Sequence, residues 1–104
     1  MTEHTPSLAE VRDEIDRLDR QIIELIAERQ RWVVVAGTLK MDEHAVRAPD
    51  RVAQVIAKVR GIAADTGASP DVVERAYRAL IAGFIDLELE LHRSAGTAQP
   101  LATP

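Results

Sequence analysis

The stretch that decides the fold runs from Ser7 to Lys40, SLAEVRDEIDRLDRQIIELIAERQRWVVVAGTLK. Leu8, Val11, Ile15, Leu18, Ile22, Leu25, Trp32, Ala36 and Leu39 recur at alternating steps of three and four. That is a heptad-like seam, the pattern of a helix packed along its length against another helix. Ser7 and Glu10 have the spacing of a capping box, which satisfies otherwise unpaired N–H groups at a helix start. No Gly or Pro interrupts the run before Gly37. The spacing predicts one continuous helix over 8–40. One seam position is out of character: between Leu25 and Trp32 it holds Arg29.

Outward from that helix, the chain reads as three helices, long, short and medium. Residues 1–6 form an expected flexible arm. Met41 to Ala48 is a polar connector. Pro49 suits the first turn of a helix, where its missing N–H costs nothing. Val52, Val55, Ile56, Val59 and Ile62 mark a stripe from about Pro49 to Thr66, with Gly67 as C-cap. Ser69-Pro70-Asp71 restarts the chain as N-cap, first helical residue and dipole-facing acid. Val73, Ala76, Tyr77, Leu80, Ile81, Phe84, Leu87 and Leu91 carry the third helix to about Arg93. Residues 94–104, rich in Ala, Thr, Gly and Pro, read as a disordered tail, so the expected domain spans 7–93.

At 104 residues the chain is one domain. Its hydrophobic fraction of 46% comes mostly from Ala, Val, Ile and Leu, with Trp32, Tyr77 and Phe84 the three aromatics. No run approaches the roughly 18 consecutive apolar residues of a membrane span, and no basic-then-apolar leader opens the sequence. Cysteine is absent, which excludes disulfide and thiolate chemistry and makes a reducing cytoplasm the expected location. A net charge of −4 without a Lys/Arg block argues against non-specific nucleic-acid binding. An anionic ligand would need a local basic pocket.

The length of the first helix implies a partner. Thirty-three residues span about 50 Å, whereas a compact domain of this size has a radius of gyration of only about 13 Å. Much of the seam would lie in water unless a second copy of the chain covered it.

Several residues are candidates for chemistry. Arg29 is either a snorkelling arginine, one paired with a carboxylate such as Glu28, or a ligand-binding group. Lys40 follows it by eleven residues, about 20° away on a continued helix and about 16 Å along it. Two long side chains so placed bracket a small anion of dicarboxylate size. Arg12 precedes Arg29 by seventeen residues, about 25 Å away and about 100° round, so it cannot share a small ligand with Arg29 of the same helix. It is either a solvated arginine with Asp16 at i+4 or, in an antiparallel dimer, a contributor to the other chain's site. Arg51 points into the bundle or pairs with an acid such as Asp50. Glu88 shares a broad face with Phe84, Leu87 and Leu91, and is either solvated or at the core edge. A partly buried carboxyl favours its neutral form and then donates a hydrogen bond. His4, His44 and His92 have no metal-ligand spacing, and no phosphate loop or Ser/His/Asp arrangement is present.

Together, "VRDEIDRLDRQIIELIAERQ" and the lysine eleven residues after the arginine of "AER" resemble the all-helical chorismate mutase family. The motifs are R-x-x-I-D-x-L-D and L-I-A-E-R, and the resemblance covers about residues 8–93. It implies an all-α fold in which two three-helix chains intertwine as a homodimer with two active sites, and it implies no cofactor or metal. Carried over by position, Arg12 is the arginine lent to the partner's site and binds a substrate carboxylate. Arg29 binds the other carboxylate. Lys40 donates to the ether oxygen and a carboxylate, Arg51 and Phe84 complete the pocket, and Glu88 falls at the second donor to the ether oxygen, where many members have Gln.

Two positions depart from the mutase pattern. An acidic residue is common at Ala48, and a glutamate contacting the ring hydroxyl is common at Val52. The connector "VRAPDRV" instead resembles the isochorismate pyruvate lyase branch. The first expectation is rearrangement of chorismate to prephenate. The second is cleavage of isochorismate to salicylate and pyruvate in the same pocket. The competing class is a non-catalytic helical dimer that binds a small anion or a partner.

Overall fold

A computed structural model describes residues 5–98, with side chains to residue 95. The expected arm and tail therefore fall largely outside the described residues. Every described element is helical: α1 (Leu8–Thr38), α2 (Glu43–Arg47), α3 (Pro49–Thr66) and α4 (Pro70–Ala98). The three main helices stand where the periodicity put them, with a single turn of helix added inside the connector. The chain divides between Trp32 and Val33 into two compact units.

The first unit holds α1 as far as Trp32. Its start is capped as expected, the Glu10 N–H donating to Ser7 Oγ at 3.1 Å. No residue of α1 is buried. The seam lies open, with Leu8 63%, Leu25 64% and Trp32 67% exposed. An apolar stripe of this length on a well-formed helix is a surface awaiting a cover.

The second unit holds the end of α1 with α2, α3 and α4. Here α3 lies along α4, and α2 rests against α4. Ile56, Val59 and Ala63 of α3, Val46 of α2, and Phe84 and Leu89 of α4 form the buried core. Ala63 replaces the expected Ile62, which is 48% exposed. The stripe 56-59-63 keeps the helical step onto α4, whereas position 62 rolls off it. Leu89 is buried although it lies off the predicted stripe, on the helix that both α2 and α3 contact.

Local chemistry sets the ends. Gly67 adopts φ 83° and its N–H returns to the Ala63 carbonyl, the left-handed cap that glycine takes without strain. Ser69 Oγ accepts from the Val72 N–H at 3.3 Å. Asp42 caps α2 by accepting from the Ala45 N–H at 2.8 Å, a signal inside the connector that the periodicity did not reveal. Ala48 ends α2 and starts α3 in one residue at φ 35°, an uncommon conformation for a side chain with a Cβ. Arg60 ties α3 to α4 by donating to Asp71 at 3.0 Å and to Glu74 at 2.9 Å.

Two boundaries correct the sequence reading. The first helix ends at Thr38, with the Leu39 N–H bonded back to Ala36 and the Lys40 N–H to Gly37, the tighter turn that closes many helices. Lys40 is thus a residue of the connector, and the helical-wheel angle that put it on the face of Arg29 stops short of it. The last helix runs on to Ala98, so residues 94–98 are helical rather than tail. Ser94 to Ala98 holds two alanines and no helix-breaking proline, the next proline being Pro100.

Candidate functional site

The site is built on one face of α4. Glu88 is buried at 7% exposure, and it is the charged residue that joins the core among the described residues. Burial of a carboxylate is costly unless it is paired and hydrogen-bonded. The partner is Lys40, whose Nζ lies 2.9 Å from Glu88 Oε2, with side-chain exposures of 26% and 6%. Two residues that the sequence reading nominated separately, 48 positions apart, are in direct contact.

Gly37 packs against that contact. A Cβ at Gly37 would stand 3.4 Å from Glu88 Oε2 and 3.5 Å from its Cγ, an ordinary van der Waals contact with the carboxylate. Gly37, Val34, Thr38, Glu88, Leu91 and His92 line a shallow pocket of about 80 Å³. A pocket that takes a whole small-molecule ligand has roughly 300 Å³ or more, so this is a fraction of such a site.

The connector is fastened to α4 at three points. Besides Lys40 on Glu88, the Lys40 carbonyl lies 3.3 Å from His92 Nε2, and Arg93 Nε donates to Glu43 Oε1 at 2.9 Å. The Arg93 guanidinium, hydrogen-bonded to Glu43, holds that carboxyl below its ordinary range.

The remaining nominated residues divide as follows. Phe84 is buried one turn before Glu88 on α4. Arg51 is exposed near the start of α3 and makes no ion pair, with Asp50 or any other acid, among the described residues. Arg12 and Arg29 belong to the first unit, Arg12 exposed and Arg29 half-buried. Gly37 and His92 were missed as site residues. His92 was weighed only as a metal ligand, although its place four residues after Glu88 puts the two side chains on one face. No group of three or more His, Cys, Asp and Glu residues able to hold a metal occurs among the described residues.

Glu88, which lines the pocket, accepts the Lys40 ammonium there. Against known families, a model described as chorismate mutase type II matches residues 11–89. The chain belongs to that family. As a member of the chorismate mutase type II family, it is also similar to an isochorismate pyruvate lyase from Pseudomonas aeruginosa. The two are 30% identical over 91 residues, which cover 88% of this chain and 90% of the relative. The matched region takes in Arg12, Arg29, Lys40, Arg51, Phe84 and Glu88. No described helix is long and apolar enough to cross a membrane.

Proposed function

We infer that this member of the chorismate mutase type II family breaks the enolpyruvyl ether bond of a chorismate-type dicarboxylate. The observation that carries the reading is the Lys40–Glu88 pair at 2.9 Å, of which Glu88 lines the pocket. Lys40 donates to the ether oxygen and to a carboxylate, and protonated Glu88 supplies the second donor. Arg29 binds one carboxylate within the chain, Arg51 supports the anionic pocket, and Phe84 packs beneath it. Arg12 binds the other carboxylate from the partner chain of a homodimer. The open seam of α1 and the small volume of the pocket within one chain both support a site completed by a second copy.

The reaction needs no nucleophile and no cofactor. It requires the enolpyruvyl side chain folded over the ring and negative charge on the ether oxygen met by fixed donors. Isochorismate is the favoured substrate. Its ring hydroxyl lies on a different carbon from that of chorismate, and Val52 places an aliphatic side chain where mutases commonly hold that hydroxyl with a glutamate. A hydroxyl buried without a partner there would cost about 1–3 kcal/mol. The resemblance to the Pseudomonas aeruginosa lyase points the same way. As the ether bond breaks, the hydrogen on the hydroxyl-bearing ring carbon passes to the enolpyruvyl methylene, giving pyruvate and an aromatic salicylate. The second reading, chorismate to prephenate, is favoured by the family's own description.

The test is to incubate the protein separately with each isomer and identify the products. Salicylate plus pyruvate from isochorismate is the expected result. Prephenate from chorismate alone puts the second reading first. A stable dimer that turns over neither overturns both and leaves a binding module.

A further inference from the structure

Lys40 stands outside any helix, on the connector, two residues after α1 ends. A lysine there has four side-chain torsions and a mobile backbone, so its ammonium would sample a wide volume unless the backbone were fixed. The structure holds it at both ends from a single turn of α4. Glu88 takes the ammonium at 2.9 Å, and His92, four residues on, meets the main-chain carbonyl at 3.3 Å. A carbonyl only accepts, so Nε2 carries the proton and donates.

We propose that His92 is a positioning residue: it anchors the Lys40 backbone to α4 so that the ammonium is aimed where Glu88 is aimed. The inference rests on the reading that Lys40 works at the ether oxygen. The two clasps then play different parts. The Glu88 bond is the one exchanged when Lys40 turns to a ligand, because both groups have to face the same oxygen. The His92 bond does not involve the ammonium and persists through that exchange. Arg93 on Glu43 adds a further hold on the connector, three residues beyond Lys40. With substrate bound, His92 is therefore what keeps Lys40 in register with Glu88.

Three forms of the full chain test this: unaltered, His92→Phe, and His92→Gln, whose side-chain amide can still donate to the carbonyl. Hydrogen exchange of the peptide carrying Lys40 and Met41 is followed by mass spectrometry in parallel with kcat and KM on whichever isomer is turned over. His92→Phe is expected to exchange faster there and to lose about tenfold in kcat, the worth of one hydrogen bond, with KM within about threefold. His92→Gln is expected to recover both. Unchanged exchange in His92→Phe overturns the anchor, whatever the activity. Equal losses in Gln and Phe variants also overturn it, because they assign the effect to ring packing. If His92→Phe does not fold, His92→Asn, too short to reach, takes its place against His92→Gln. If the unaltered protein turns over neither isomer, the functional reading fails, while the exchange comparison still judges the anchor.

Discussion

Lys40 Nζ and Glu88 Oε2 lie 2.9 Å apart, joining the connector after the first helix to the buried face of the last. Neither residue is well placed without the other. The Glu88 carboxylate is tolerable in the core because an ammonium neutralises it, and Lys40 is fixed because a rigid helix receives it.

Lys40→Ala leaves a buried acceptor without its partner and removes the central donor. The expected cost is roughly 1–3 kcal/mol of stability and about 100- to 1000-fold in kcat. The double variant Lys40→Met/Glu88→Leu separates the two effects. An apolar pair in place of a buried ion pair should return stability to within about 1 kcal/mol of the parent, or above it. Activity should stay lost. Denaturant unfolding and product assays on all three forms check this, and an active double variant would place the chemistry elsewhere.

The proposed role of Glu88 is to donate a hydrogen bond to the ether oxygen. Glu88→Gln keeps a donor at that position and should retain most of the turnover, whereas Glu88→Leu has none and should lose about tenfold or more in kcat. Product assays on the two variants are the measurement; equal turnover would remove Glu88 from the reaction.

If each site takes Arg29 from one chain and Arg12 from the other, Arg12→Ala and Arg29→Ala are each inactive alone. Mixed dimers of the two variants contain one site with both arginines intact and one with neither. An equal, fully exchanged mixture should recover about a quarter of parental activity, because half the dimers are mixed and each has one working site. Sedimentation of the mixture confirms the dimer. Complementation that never appears would show that the sites are not shared.

The corner between α3 and α4 should weaken in acid. The hydrogen bond from Arg78, with that from Arg60, holds Glu74 below its ordinary 4.5. A lowered folded-state value means the stabilisation is fully present above about 4.5 and disappears as pH falls through the lower value of the folded chain. Glu74→Gln should therefore unfold at a lower temperature than the parent at pH 7. The two melting curves should converge as the pH falls through that lower value, where the parent carboxyl becomes protonated as well.

Much of this molecule is legible along the chain because its signals are local. Ser7, Pro49, Gly67 and Ser69-Pro70 each act on neighbouring backbone, and each marks a helix end in the structure. The spacing overruns the end of α1 by two residues, because the apolar step continues to Leu39 past Gly37 whereas Lys40 is held by contacts from α4. The Asp42 cap was overlooked because α2 is a single turn with no periodicity to detect. Arg12, Arg29, Lys40, Arg51 and Glu88 are nominated by residue type and motif. Gly37 and His92 are not, because their contacts with Glu88 and Lys40 depend on where α4 lies.

The sequence by itself determined that the chain is helical and where its main helices begin, while its family resemblance nominated the side chains proposed to meet an anionic ether. The helices follow from periodicity and capping, both short-range along the chain. Only the tertiary structure decided that Glu88 is buried, that Lys40 belongs to the connector and meets it, and that Gly37 packs beside the meeting. A carboxylate's burial and a lysine's partner are long-range facts, set by the packing of helices that the one-dimensional pattern does not position.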